Sequence, residues 1–202
     1  MNKMDIQATF SKIISETVCA ILKEYEFKKL RSTLYLNAEN IITIVDFQKS
    51  VNSTKNECIF TVNLGFLIKP ICKFLARKYS IPPHISNCQW KERIGFLLEE
   101  KKDKWWHISC EGEVDNIVNE VAGGIKKFIP IIITHQELLS FISEWRTGKV
   151  QGITELGRLY DLLILSKYLG CQEEYLLASN QLHNCDPVDA KYYMDKLQFW
   201  PG

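Results

Sequence analysis

Three runs between residues 33 and 67 restrict the class of fold open to this chain. Thr33 to Asn37, Ile41 to Lys49 and Glu57 to Leu67 are rich in β-branched and aromatic residues, the composition of strands. Only Ala38-Glu39-Asn40 and the polar stretch Val51 to Asn56 separate them, and connections this short join antiparallel neighbours. The runs predict a β-meander. Ahead of it, Ile6, Phe10, Ile13, Ile14, Val18, Ile21, Leu22 and Tyr25 recur at spacings of three and four, which predicts one amphipathic helix over Ile6 to Phe27 with a face on the sheet. After it, the lysine-rich segment Ile68 to Tyr79 reads as a short helix interrupted near Pro70, and Pro82-Pro83 enforce an extended loop. Ile94 to Leu98 and Lys104 to Ser109 flank the polar turn Glu99 to Asp103, predicting a second hairpin and a sheet of about five strands.

From Gly112 onward the pattern changes to helical spacing, in Val114 to Phe128, Gln136 to Trp145, Ile153 to Leu169, Gln172 to Leu182 and Val188 to Leu197. Pro130 is expected to kink or end the first of these, Gly123-Gly124 to permit close packing within it, and Gly170 to cap a later one in the left-handed conformation. Gly148 and Gly152 bracket a linker, so a boundary is expected near Thr147 to Gln151. The fold class is therefore α+β: an antiparallel sheet with an N-terminal helix packed on it, followed by an all-helical C-terminal region. The expected organisation is an α+β domain over 1–147 and a helical extension over 148–202, a hairpin plus a last helix, packed on the first. The hairpin resembles the tetratricopeptide kind, but a single pair does not stack into an array and carries no repeat function.

The overall balance narrows the function classes. In 202 residues, 25 Lys+Arg against 24 Asp+Glu leave a formal charge of +1, so the molecule as a whole has no field that selects nucleic acid or an anionic membrane. Basic residues cluster as Lys28-Lys29 with Arg31 and as Lys69, Lys73, Arg77 and Lys78. Both clusters are read as solvated faces rather than a nucleic-acid footprint. Met1 to Gln7 lack the apolar core of a secretory signal, and Phe128 to Ile133 and Leu162 to Leu165 fall far short of the roughly 20 residues of a spanning helix. The seven cysteines, Cys19, Cys58, Cys72, Cys88, Cys110, Cys171 and Cys185, include no C-x-x-C pair, which fits free thiols in a reducing cytoplasm.

Alternation divides each strand into two faces. Leu34, Leu36, Val45, Phe47, Phe60, Val62, Leu64, Phe66, Ile94, Phe96, Leu98, Trp106 and Ile108 fall on the core side. The other side collects Tyr35, Asp46, Gln48, Thr61, Asn63, Arg93, Trp105 and His107. Trp105 and Trp106 are adjacent, so one indole leaves the core unless helices cover both faces; the outward one is expected to be Trp105. Within this polar set Gln48, Asn63, Arg93 and Trp105 form a candidate binding surface, since aromatics and arginine are enriched where binding energy concentrates. Set against it is an ordinary solvated face, or a Trp105 packed beneath the helices.

Chemistry has weaker footing. Asp46 and His107 share the polar face, and a carboxylate orienting an imidazole suits general-base catalysis, but no serine or cysteine nucleophile stands at a strained turn. His84 and Cys88 are two potential metal ligands without a second pair, and no glycine-rich phosphate loop occurs. No metal and no cofactor are expected.

The run Phe27-Lys28-Lys29 with Thr33 and Tyr35, then Phe47-Gln48-Lys49-Ser50, Phe60-Thr61-Val62-Asn63-Leu64-Gly65, Cys88 with Arg93-Ile94-Gly95, and Asp103-Lys104-Trp105-Trp106 resembles the bacterial domain-of-unknown-function family 4304 (DUF4304) in order and spacing, over roughly residues 10–128. The resemblance implies an intracellular bacterial α+β domain and transfers no catalytic residues. The leading expectation is a non-catalytic module that holds another protein, by analogy with immunity partners of bacterial toxins. The alternatives are a small hydrolase or transferase with His107 or Asp46 as base and Arg93 as anion clamp, or a sensor that stacks a planar ligand on Trp105 in an enclosed pocket.

Overall fold

The computed structural model describes residues 5–109, 111–148, 150 and 152–200, and for 111–113 the backbone only. Residues 1–4, Cys110 and Gln151, on which readings above fall, lie outside the described residues.

The meander forms as the alternating pattern requires. Strands β1 (Lys28–Leu30), β2 (Thr33–Asn37), β3 (Ile41–Lys49), β4 (Cys58–Ile68) and β5 (Trp90–Arg93) lie in that order, and β6 (Trp106–Ile108) also pairs with β4. All pairings are antiparallel. β1 is an edge strand hidden in the basic cluster: Arg31, at φ 56°, and Ser32 turn the chain so that Leu30 pairs with Thr33. Its exposed lysines keep other edges from pairing with it.

The expected second hairpin does not form. β5 pairs with Asn63 to Phe66 and β6 with Cys58 to Phe60, so both lie end to end on the same edge of β4. Between them Ile94–Leu97 is a 3₁₀ turn and not a strand. Its first residue, Ile94, is fully buried against Gly124, where an added Cβ would stand 2.6 Å from the isoleucine Cγ1. Packing against the helix thus draws the chain off the ladder.

One face of the sheet carries the main core. The N-terminal helix comprises α1 (Ile6–Lys12), a π-helical segment (Ile13–Val18) and α2 (Cys19–Leu22). It sets Phe10 edge-on to Phe60, with ring centroids 5.1 Å apart. Beside it α4 (Glu111–Thr134) buries Ile117, Val121, Ile125, Phe128 and Ile132. The helix runs on through Pro130, which was expected to kink or end it. Pro130 and Lys126 are both exposed, so the carbonyl that proline leaves unpaired reaches water. His135 follows, with Nε2 2.7 Å from Glu144 of α5 (Leu138–Arg146), Nδ1 3.0 Å from the Ile131 carbonyl and its ring stacked on Phe66. Trp90 donates to the same carboxylate at 3.1 Å, which fastens β5 to these helices.

The C-terminal helices are α6 (Glu155–Leu169), α7 (Gln172–Cys185) and α8 (Pro187–Gln198). Thr154 caps the first, and Gly170 ends it at φ 73°, as its position predicts. α6 packs against α5, α7 and α3 (Lys69–Phe74). Pro70 stands in the first turn of α3, where its missing N–H has no helical partner to lose; it begins this helix instead of interrupting it.

The opposite face is not polar throughout. Ile42, Ile44 and Leu67 are buried there beneath Cys72 of α3 and Tyr79, Ile85 and Cys88 of the segment that links α3 to β5. Gly65 lets this segment lie flat, for a Cβ there would be 2.6 Å from Ile85 Cδ1 and 2.8 Å from Cys88 Sγ. Among the described residues no helix is long and apolar enough to cross a membrane, and Cys19, Cys58, Cys72, Cys88, Cys171 and Cys185 are free thiols.

These contacts separate two glycines. Gly65→Ala is expected to destabilise by about 1–3 kcal/mol through overpacking. Gly123→Ala, whose Cβ meets nothing within 4 Å, is expected to stabilise by up to about 1 kcal/mol through helix propensity. Urea denaturation of the two variants checks both.

Candidate functional site

Past the covered zone, the opposite face carries a polar row. Thr33, Asp46, Asn63 and Arg93 are direct cross-strand neighbours on β2, β3, β4 and β5. Thr33 donates to Asp46 at 2.8 Å, and Asn63 donates from Nδ2 to Gln48 Oε1 at 3.0 Å. Asn63 is buried and Gln48 exposed, so the pair satisfies a polar group below while presenting an amide above.

Gln48 and Asn63 form the floor of an open cleft of about 650 Å³, with Ile85 and Ser86 on one wall, Phe96 and Asp103 on the other, and Lys91, Glu92 and Arg93 along β5. That volume lies within the ~300–1,000 Å³ of ligand sites. Arg93 is held from two sides: its guanidinium pairs with Asp103 and lies 5.1 Å from the centroid of the Trp105 ring. The loop that supplies both partners is pinned to the sheet. Thr61 Oγ1 donates to the Lys104 carbonyl at 2.9 Å, and Gly95 admits the Lys102 carbonyl so closely that a Cβ would stand 2.3 Å from it. Lys104 pairs with Glu120 of α4 at 2.8 Å.

Trp106, the inward indole, stacks on Phe60 at 5.5 Å and donates to Glu120 at 2.7 Å. Burial raises the Glu120 pKa, but the bonds from Lys104 and Trp106 outweigh it and hold the carboxyl below its ordinary value. Burial pushes Glu92 up, against the bond it accepts from the Arg93 N–H.

The structure thus brings Gln48, Asn63 and Arg93 to one cleft and sets Trp105, half-buried, behind Arg93 instead of in the lining. Asp46 and His107 are not brought together. They stand opposite Asn63 and Ile59, across the two edges of β4. Strand rise and spacing put them about 16 Å apart. Each has its own partner, Thr33 for Asp46 and Glu57, at 2.7 Å, for His107. His84 bonds Ser86 while Cys88 is buried, its thiol pKa pushed up to about 12 by that burial. Phe96 and Asp103 were missed as lining because parity ends where the strand ends; Gly95, which marks that break, is the signal available in the sequence.

Beyond Ser86, Lys91 and Gly152 the cleft meets a second chamber of about 310 Å³. Gly152, at φ 77°, crosses β5 so closely that a Cβ would be 2.0 Å from the Lys91 carbonyl. Arg77, Gln89, Tyr160, Asp161 and Tyr193 line this chamber. Burial pushes the Asp161 carboxyl up to about 7, against the opposing charges of Arg77 and Lys91.

The model of a family described as a domain of unknown function (DUF4304) matches residues 18–136. No curated protein and no solved structure matches the chain.

Two measurements test this geometry. Trp106→Ala is expected to cost about 3–5 kcal/mol as a buried aromatic truncation, and Trp105→Ala about 1 kcal/mol, mostly the lost contact with Arg93; denaturation midpoints compare them. For Asp161, the folded chain keeps the proton to about pH 7 while the unfolded chain releases it near pH 4. The contribution of Asp161 to stability is therefore full below about pH 4 and falls as pH rises to about 7, by on the order of 4 kcal/mol. Asp161→Asn is expected to remove this slope and to be more stable than wild type at neutral pH, read from denaturation across that range.

Proposed function

The chain belongs to the DUF4304 family, whose description carries no activity, and we propose that it is a non-catalytic binding protein that holds a segment of another protein in the cleft beside Arg93. The observation that carries this reading is the fixing of Arg93 between Asp103 and the Trp105 ring. An arginine whose rotamers are already restricted loses little entropy on binding, and arginine beside an aromatic ring is the composition of interface hot spots. Lys91 and Arg93 line the cleft together with Glu92 and Asp103, so the lining offers both signs of charge, which suits a polypeptide better than a uniformly charged polymer. The polar groups on the floor are bonded to one another, an arrangement that orients a ligand and leaves no activated nucleophile. A role as the immunity partner of a toxin is the narrower form of this reading and rests on analogy alone.

The test is affinity capture from the cytosol of the source cells, with wild type and an Arg93→Ala, Trp105→Ala double variant whose folding is verified by thermal denaturation. A protein retained in stoichiometric amount by wild type and lost by the folded variant is the expected result. Retention by both, or of a metabolite with no protein, overturns it.

A further inference from the structure

Asp161 is 8% exposed, lines the second chamber, and makes no hydrogen bond or ion pair among the described residues. Three of the polar side chains that line it are already engaged. Gln89 accepts from the Ile68 N–H at 2.7 Å and donates to Cys72, the Tyr160 hydroxyl donates to Asp186 at 3.2 Å, and Thr154 accepts from the Gly157 N–H at 3.1 Å. A buried carboxylate without a partner is costly to the fold, and this one faces a space of about 310 Å³. Arg77 and Lys91 line the same space and act on the carboxylate through their charge, yet neither makes an ion pair among the described residues.

We propose that this chamber binds a small zwitterion of the amino-acid type, its ammonium group bonded to Asp161 and its carboxylate held by Arg77 and Lys91. The disposition of charge selects the class. A simple cation attracted by Asp161 meets two positive side chains, and a simple anion drawn by these meets the carboxylate, whereas a molecule carrying both groups answers all three. The rings of Tyr160 and Tyr193, with centroids 4.6 Å apart, wall the chamber beside Asp161 and add the cation–π attraction that ammonium groups find on aromatic faces. The site is independent of the protein-binding reading of the cleft, although Lys91 borders both.

The experiment is isothermal titration calorimetry at neutral pH, with the standard amino acids added one at a time to wild type, Asp161→Asn and Lys91→Gln. At least one amino acid is expected to bind wild type with a dissociation constant of about 1 mM or tighter. Its decarboxylated amine and its deaminated acid are each expected to bind at least about tenfold more weakly, and so is the amino acid itself to both variants. Denaturation of Asp161→Asn, expected to be at least as stable as wild type, confirms that a loss of binding is not a loss of fold. No amino acid binding at that strength, unchanged binding to Asp161→Asn, or an amine that binds as well as its amino acid overturns the proposal.

Discussion

β4 is buried along nearly its whole length on both faces, so its backbone groups need partners on both edges. β3 supplies one edge over nine register pairs, from Ile41 with Ile68 to Lys49 with Phe60. The other edge is filled in two pieces, and Thr61 and Val62 fall between them. At that interruption the side chain of Thr61 bonds the Lys104 carbonyl, so the excursion that leaves the ladder after Arg93 is tied down as it returns. The cleft follows from this break. An unbroken edge strand would have set the positions after Arg93 in simple alternation along β4, with no wall and no Asp103 to meet the guanidinium.

The polar residues of the opposite face divide by what covers them. Where the segment from Cys72 to Cys88 lies on the sheet, the side chains beneath are Ile42, Ile44 and Leu67. Where the cover stops, they are Thr33, Asp46, Gln48 and Asn63, bonded in pairs. Burial of unpaired amides under a lid is unfavourable, and the transition along β3 from isoleucine to aspartate and glutamine therefore marks where the lid ends. The edge of the lid, at Ile85 and Ser86, is also a wall of the cleft.

Period-two reasoning recovered β2 and β3 residue for residue and assigned the two indoles to their observed sides, because each of these strands has a face in contact with the main core. It stopped being informative at Ile94, where contact with Gly124 outweighs strand propensity and the following residues adopt a 3₁₀ turn. The apolar zone of the opposite face was visible in Ile41-Ile42 and Ile44-Val45, where both parities are apolar, the mark of a strand covered on two sides. The π-helical segment from Ile13 to Val18 leaves no trace in a helical pattern: adjacent Ile13 and Ile14 are both buried, as they also would be on a broad apolar face. Of the candidate site, the floor and Arg93 were legible because they sit on regular strands. The walls were not, because they come from loops whose positions depend on tertiary contacts. The pairing of Asp46 with His107 failed for a related reason, since a shared face says nothing about distance along it.

Asp161 shows how the C-terminal helices change the chemistry available to the matched region. α6 is buried at Arg158 and Leu159 and from Asp161 to Ser166, so it has too little solvent-facing surface to hold every polar residue outward. Its carboxylate at 161 is directed to the side of β5 and α3, where Arg77, Gln89 and Lys91 lie within the residues matched by the family model, while Tyr160, Asp161 and Tyr193 lie beyond them. The chamber therefore exists only where the two parts meet, and Gly152 permits that meeting by crossing β5 against the Lys91 carbonyl. For folding alone, an uncharged residue at 161 is favoured, since the carboxylate gains no hydrogen bond in return for its desolvation. A group that burdens the fold and faces an open space flanked by two cations is explained by what enters that space.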